Sequence, residues 1–265
     1  MSFLRHYLLA VQFFTRIPVT GALARWVGFS PAMLRASAAH FPGVGWLVGG
    51  LVAAVSAGLF AVLPDRPMAS LVVAVLGTVA SVLLTGAFHE DGLADVCDGL
   101  GGSSDRSRAL VIMKDSRVGA FGALALVLVV LTKVGLLALI GSVDPLLLVG
   151  GLFAAHVASR SFPLLLIRAM VHVGDDAGSK SKPLADQIGI GGLGLASVWL
   201  GAALLLVAVL VPSLALAVPM TFATLACLWM WRWFRLRLQG FTGDCLGATQ
   251  QVCEVAFYFG LALTL

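Results

Sequence analysis

One stretch of this chain gathers the residue types that hard-metal and phosphate chemistry needs: His89-Glu90-Asp91-Gly92-Leu93-Ala94-Asp95-Val96-Cys97-Asp98-Gly99. It falls where a long apolar run gives way to a polar one. Asp91, Asp95 and Asp98 recur at i, i+4 and i+7. On a helix turning about 100° per residue they fall at about 0°, +40° and −20°, one narrow face. Like charges that close destabilise a helix, and a cation offsets them. Oxygen ligands without a cysteine pair favour Mg²⁺, with Mn²⁺ as its substitute, over zinc. The three aspartates, with Glu90 beside them, are the expected metal ligands.

The residues that follow suit an anion. Gly99 to Ser104 is a glycine-rich turn whose backbone N–H groups suit either a phosphate cradle or a plain flexible connection. Arg106 and Arg108 come next, then Lys114-Asp115-Ser116-Arg117 at the head of another apolar run. Arg supplies forked donors and Lys a point charge, so Arg106, Lys114 and Arg117, with Asp115 between the last two, are expected at substrate phosphates. Lys180 and Lys182 lie in a polar connection that suits either a phosphate contact or a solvated link. Asp244, in Gly243-Asp244-Cys245-Leu246-Gly247, opens the last apolar run as either a helix cap or a further metal contact. Glu254 lies deeper in that run, and His156 and Arg160 sit i, i+4 in another. Ionisable groups at such depth are expensive and normally face a partner or a cavity. Lys133 lies near the opposite end of its run and is expected to snorkel to that surface.

These groups must be positioned by membrane helices. The 265-residue chain is 60% hydrophobic and only 11% charged, against roughly 25% charged in soluble domains. Its mean hydropathy is +1.01. The fold class expected is all-α: a single-domain polytopic integral membrane protein of about seven spans, near 42–63, 68–88, 119–140, 145–168, 190–211, 213–231 and 247–265. Residues 3–17 carry apolar groups at helical spacing and suit an amphipathic helix on the membrane or one packed against the spans. No cleavable signal peptide is expected. The connections alternate between long and short, and the long set holds 14 of the 17 Lys and Arg. That asymmetry puts the N-terminus and all the chemistry-bearing loops in the cytoplasm. The net charge of +4 reflects those loops and gives no reason to expect nucleic-acid binding. Cys97, Cys227, Cys245 and Cys253 form no CxxC pair and are expected as free thiols. Gly and Ala faces on several spans are of the kind that pack between protomers of a homo-oligomer.

Carboxylates for a divalent cation, bases for phosphate and a membrane setting together imply phosphoryl transfer. At this point the sequence resembles a known family. His89 to Gly102 resembles the signature of the cobalamin synthase family, the adenosylcobinamide-GDP ribazoletransferases. Four further segments match its pattern in order: Gln12 to Pro18, Phe41 to Gly45, Ile112 to Gly119 and Gly243 to Ala248. The resemblance implies a Mg²⁺-dependent enzyme of the bacterial inner membrane. It would join adenosylcobinamide-GDP to α-ribazole or its 5′-phosphate, giving adenosylcobalamin or its 5′-phosphate and GMP. On that reading Asp91, Asp95 and Asp98 hold metal on the diphosphate, Lys114, Arg117 and Arg160 neutralise phosphate oxygens, and His89 or a motif carboxylate accepts the hydroxyl proton. His89 as an orienting group is the alternative. The acidic helix also resembles that of the CDP-alcohol phosphotransferases, which act on lipid alcohols, but the Ala-Arg step of that family is absent, since Ala94 is followed by Asp95. A cation or corrinoid transporter would place its acids at the bilayer midplane, whereas these cluster at one surface.

Overall fold

The computed structural model describes residues 2–174 and 187–265. They form helices α1 (Ser2–Phe14), α2 (Gly21–Val27), α3 (Pro31–Ser37), a 3₁₀ turn (Ala38–His40), α4 (Phe41–Val62), α5 (Ala69–Thr85), α6 (Phe88–Gly102), α7 (Arg106–Met113), α8 (Ala120–Val143), α9 (Pro145–Ser161), α10 (Pro163–Ala169), α11 (Ile190–Leu210), α12 (Ala217–Arg237) and α13 (Gly243–Ala262). No strand occurs among the described residues. An isolated bridge, Val173 N to Phe241 O at 2.9 Å and Phe241 N to Val171 O at 3.0 Å, ties the chain after α10 to the start of α13.

A helix stands at each of the seven expected apolar runs. Four stretches are long and apolar enough to cross a membrane: Pro31–Val62, Ala120–Val143, Pro145–Ala169 and Ile190–Leu210. The pair α5 and α6 would make a fifth as a single broken span. The last two helices are more polar, α12 ending in Arg235 and Arg237 and α13 burying Gln250, Gln251 and Glu254. Residues 89–118, expected as a long connection between spans with its acids on a helical face, are mostly the two helices α6 and α7. An N-terminal helix occupies Ser2–Phe14, ending three residues before the expected boundary, and buries Leu9, Ala10, Val11 and Phe14. It packs on α3 and α4, and the Tyr7 hydroxyl donates to Gly43 O at 3.2 Å.

Two devices place α6. The first is the turn after α5. Gly86 (φ +68°) and Ala87 (φ +57°) are both left-handed, a conformation that glycine adopts freely and alanine resists. The chain bends by 90° there, so α6 runs across the end of α5 rather than continuing it. The second is close helix packing. The broadest contact in the fold is α4 on α9. A Cβ on Gly45 would sit 2.5 Å from His156 O, and one on Gly49 would sit 2.9 Å from His156 Cβ. Absent side chains let the two backbones touch, as membrane helices commonly require.

The core holds charge as well as apolar groups. Lys133 is 2% exposed and its Nζ lies 2.6 Å from Glu254 Oε1. The snorkelling expected of Lys133 is therefore corrected: counting turns along α8 gave its depth but not its partner on α13. A hydrated ammonium at the surface would leave Glu254, 1% exposed, without its cation, and an unpaired buried charge is far costlier than a paired one.

Gly45→Val is expected to force α4 off α9 and lower the melting temperature in detergent, at a cost of about 1–3 kcal/mol. Gly50→Ala, where an added Cβ meets nothing within 4 Å, is expected to leave melting unchanged or raise it slightly.

Candidate active site

The acidic motif is helix α6, and its faces do different work. Gly92 meets the first turn of α13: an added Cβ would lie 2.8 Å from Asp244 O. Gly247, one turn further along α13, approaches His89 in return, with an added Cβ 3.3 Å from its Cα and carbonyl oxygen. The two helices thus cross at backbone contact. That crossing brings Asp91 and Asp95 of α6 beside Asp244. Asp91 is exposed and Asp95 and Asp244 are half-buried. The cap of α13 is Thr242, whose Oγ1 accepts from Cys245 N and donates to Asp244 Oδ2 at 3.2 Å. Asp244 is therefore free of the capping duty that the sequence left open for it.

Asp98, the third member of the expected face, is turned to α8. Its Oδ2 accepts from Gly119 N at 2.7 Å and its Oδ1 from Gly122 N at 2.8 Å. Those are the cap and third residues of the long helix, two of its four orphan donors, and a carboxylate there also complements the helix dipole. A Cβ at either glycine would collide with the Asp98 carboxylate. The single face drawn from spacing thus divides: Asp91 and Asp95 meet Asp244, and Asp98 fixes α8.

Electrostatics follow from that crowding. Burial, then the charges of Asp244, Asp91 and Asp98, pushes the Asp95 carboxyl up to about 7. Among the described residues no three His, Cys, Asp or Glu side chains already surround one point. A cation here requires the Asp91, Asp95 and Asp244 side chains to swing together. The donor set fits a hard cation all the same: every ligand atom is a carboxylate oxygen, and their mutual repulsion is what a divalent charge offsets.

The remaining expected residues scatter more. His89 is buried, stacked on Phe41 with ring centroids 5.7 Å apart, and its Nε2 has no hydrogen-bond partner. Glu90 is buried too, and its Oε1 accepts from Gln251 Nε2 at 3.1 Å. Arg117 folds back onto Asp115, with Nη2 2.5 Å from Oδ2, two residues before the Gly119 that Asp98 binds. Arg106 Nε donates to Leu238 O at 2.6 Å, beyond the end of α12. Lys114 is exposed at the end of α7. Arg160 is 1% exposed; its Nη1 lies 3.0 Å from His156 Nδ1 and 2.9 Å from His156 O. Lys180 and Lys182 lie outside the described residues. Three participants carried no signal that was read. Arg237 Nη2 binds Leu100 O at 3.1 Å and Ser103 O at 2.6 Å, a cation on the carbonyl end of α6. Gln250 and Gln251 join α13 to the buried acids.

A helical membrane protein with acids from two helices at one crossing, and bases on the adjoining turns, belongs to the class of membrane-embedded group-transfer enzymes. Residues 6–262 match the family model described as cobalamin-5-phosphate synthase, and the chain belongs to that family. A relative from Albidiferax ferrireducens named adenosylcobinamide-GDP ribazoletransferase is 63% identical, covering 100% of this chain and 99% of its own. Relatives of the same name from Polaromonas naphthalenivorans, 60% identical over 100% of both chains, and Leptothrix cholodnii, 44% identical over 97% and 94%, extend the likeness. No solved structure matches the chain.

Asp95 binds its proton more tightly folded than unfolded. Between about pH 4 and pH 7 the native state therefore holds the extra proton, and stability falls as pH rises through that window. In chelator, melting temperature is expected to drop from pH 5 to pH 8 by more in the wild type than in Asp95→Asn. Equal slopes in the two proteins would show that Asp95 is not the group responsible.

Proposed function

We propose that this chain catalyses the transfer named for its relatives: adenosylcobinamide-GDP reacts with α-ribazole, or its 5′-phosphate, to give adenosylcobalamin, or its 5′-phosphate, and GMP. The observation that carries the reading is the crossing of α6 and α13, which sets Asp91 and Asp95 against Asp244 in a chain of this family. A ribazole hydroxyl oxygen forms a bond to the phosphorus on the cobinamide side. The bond from that phosphorus to the bridging oxygen breaks, and GMP leaves with the electron pair. The hydroxyl proton passes to a carboxylate of the α6 face.

Asp91, Asp95 and Asp244 are the residues that hold Mg²⁺ or Mn²⁺, with the expected roles of Asp98 and Glu90 narrowed to fixing α8 and α13. When bound, the cation neutralises diphosphate oxygens and the charge that develops on the leaving phosphate. Lys114 and Arg117 face the same work from the turn before α8, where Arg117 exchanges Asp115 for a phosphate oxygen. Arg106 stands further back, held by Leu238 O. Arg160 and His156 act inside the bundle rather than on substrate. His89, stacked on Phe41 away from the solvent-facing acids, is an orienting group.

The seven apolar helices span the inner membrane, the N-terminus and active-site turns lying in the cytoplasm where GDP-linked substrate is made available. The 14 Lys and Arg of the long connections support that orientation. Lipid covers the exposed apolar faces, and a homo-oligomer is consistent with their Gly and Ala content.

The test is GMP release by the full chain in liposomes given adenosylcobinamide-GDP and α-ribazole 5′-phosphate, with and without Mg²⁺. Wild-type turnover is expected to need the cation, and Asp91→Asn and Asp244→Asn are each expected to lose about 10²-fold or more while melting like the parent. A folded wild type that makes neither GMP nor cobalamin phosphate would refute the assignment and favour a lipid-alcohol acceptor.

A further inference from the structure

Four buried Lys, Arg and Glu side chains lie within the bundle beneath the acid crossing, Glu90, Lys133, Arg160 and Glu254, none more than 9% exposed, with the buried imidazoles of His89 and His156 beside them. Two are cationic and two anionic, so the region is neutral as a whole. A continuous hydrogen-bonded chain links its carboxylates. Gln251 Nε2 donates to Glu90 Oε1 at 3.1 Å and to Gln250 Oε1 at 3.0 Å. Gln250 Nε2 donates to Glu254 Oε2 at 2.7 Å and to Ser159 Oγ at 2.9 Å. Each amide group has two N–H donors, and all four are committed. Neither amide can rotate without losing a bond in a buried setting, where an unmade bond costs its full desolvation. Glu254 Oε1 in turn accepts from Tyr258 Oη at 3.0 Å and pairs with Lys133.

With Asp98 these bonds form a closed triangle. Asp98 of α6 holds the N-terminus of α8. Lys133 of α8 pairs with Glu254 of α13. Gln251 of α13 returns to Glu90 of α6. Each side is directional, whereas the glycine contacts at Gly92 and Gly247 fix how near the helices come and not where one stands along the other. Residues Glu90 and Asp91 are adjacent, about 100° apart on the helix. Pinning Glu90 inward therefore sets the direction in which Asp91 leaves α6.

We infer that Gln251, Gln250 and the Lys133–Glu254 pair are positioning residues for the acid site: they set the register of α6 against α13 and hence the reach between Asp91, Asp95 and Asp244. This deepens the function proposed above, since the site positioned is the same one. A slip of one helical turn, about 5.4 Å, would separate ligands that must share one cation. Glycine contacts alone do not forbid it.

The alternative is that the triangle only stabilises the fold. The two readings part on cation affinity at preserved stability. The full chain in detergent is titrated with Mn²⁺, bound and free metal being read by electron paramagnetic resonance without any corrinoid, beside thermal melting. Gln251→Met removes one side of the triangle at similar volume. Lys133→Met with Glu254→Gln removes another as a pair, which avoids leaving a lone buried charge. Each is expected to bind Mn²⁺ about 10-fold more weakly or worse, and the double variant to keep a melting temperature near the parent's. If Gln251→Met does not fold, the double variant decides. Parental Mn²⁺ affinity in a folded variant overturns the inference, as does a wild type that binds no Mn²⁺. Because no substrate is present, a failure of ribazole transfer by a Mn²⁺-binding wild type would refute the function and leave this positioning role standing.

Discussion

The ion pair between Lys133 and Glu254 is the constraint around which this bundle closes. Both groups are almost wholly removed from solvent. In surroundings of low polarity an isolated charge costs many kcal/mol, and pairing returns most of that only with good geometry and further hydrogen bonds. Glu254 has them: the Lys133 ammonium, the Tyr258 hydroxyl and the Gln250 amide all reach it. Such a pair adds little net stability against an apolar alternative. What it adds is direction, because it ties one point on α8 to one point on α13. Apolar helices that slide on lipid-like side chains lack that information.

Helix α6 shows how one short segment is read on every side. Its Gly92 admits the backbone of α13, its Asp98 terminates α8, and its Glu90 is held from within by Gln251. Its carbonyl end is held by Arg237 from α12. Asp91 and Asp95 are left to face Asp244 of α13. A segment so occupied could not be a loop: each contact depends on helical spacing to face the right neighbour. The right-angle turn at Gly86 and Ala87 is what lays it across the bundle end, where four helices can reach it.

Composition and the long apolar runs made the helical membrane class legible, and the acidic motif and Gly243 to Ala248 lie on the two helices that cross at Gly92 and Gly247. Position along a helix is a local property, and the pattern expresses it. Partnership across helices is not. Asp98 shares a face with Asp91 and Asp95 on an isolated helix, yet the four unsatisfied N–H groups of α8 compete for it, and nothing in the spacing reveals them. Lys133 looked like a snorkelling residue because its depth was visible and Glu254, some 120 positions later, was not. Gln250 and Gln251 drew no expectation from the sequence, although two adjacent amides in a buried segment must spend four donors somewhere. At Gly247, likewise, the missing side chain serves close approach to His89, which no local pattern expresses.

Three helix N-termini meet near the acids, and this explains which carboxylate carries the strain. Asp91 lies in the first turn of α6, Asp244 in the first turn of α13, and Asp98 against the first turn of α8. A helix N-terminus favours a nearby negative charge, but at Asp244 burial outweighs it and raises the carboxyl above its ordinary value. Asp95 sits a turn further into α6, has no helix end of its own, and is surrounded by the other three. Burial and their charges therefore fall on it, and its carboxyl is the one driven to about 7. The arrangement of helix ends thus singles out Asp95 as the carboxylate of the group without a helix N-terminus of its own.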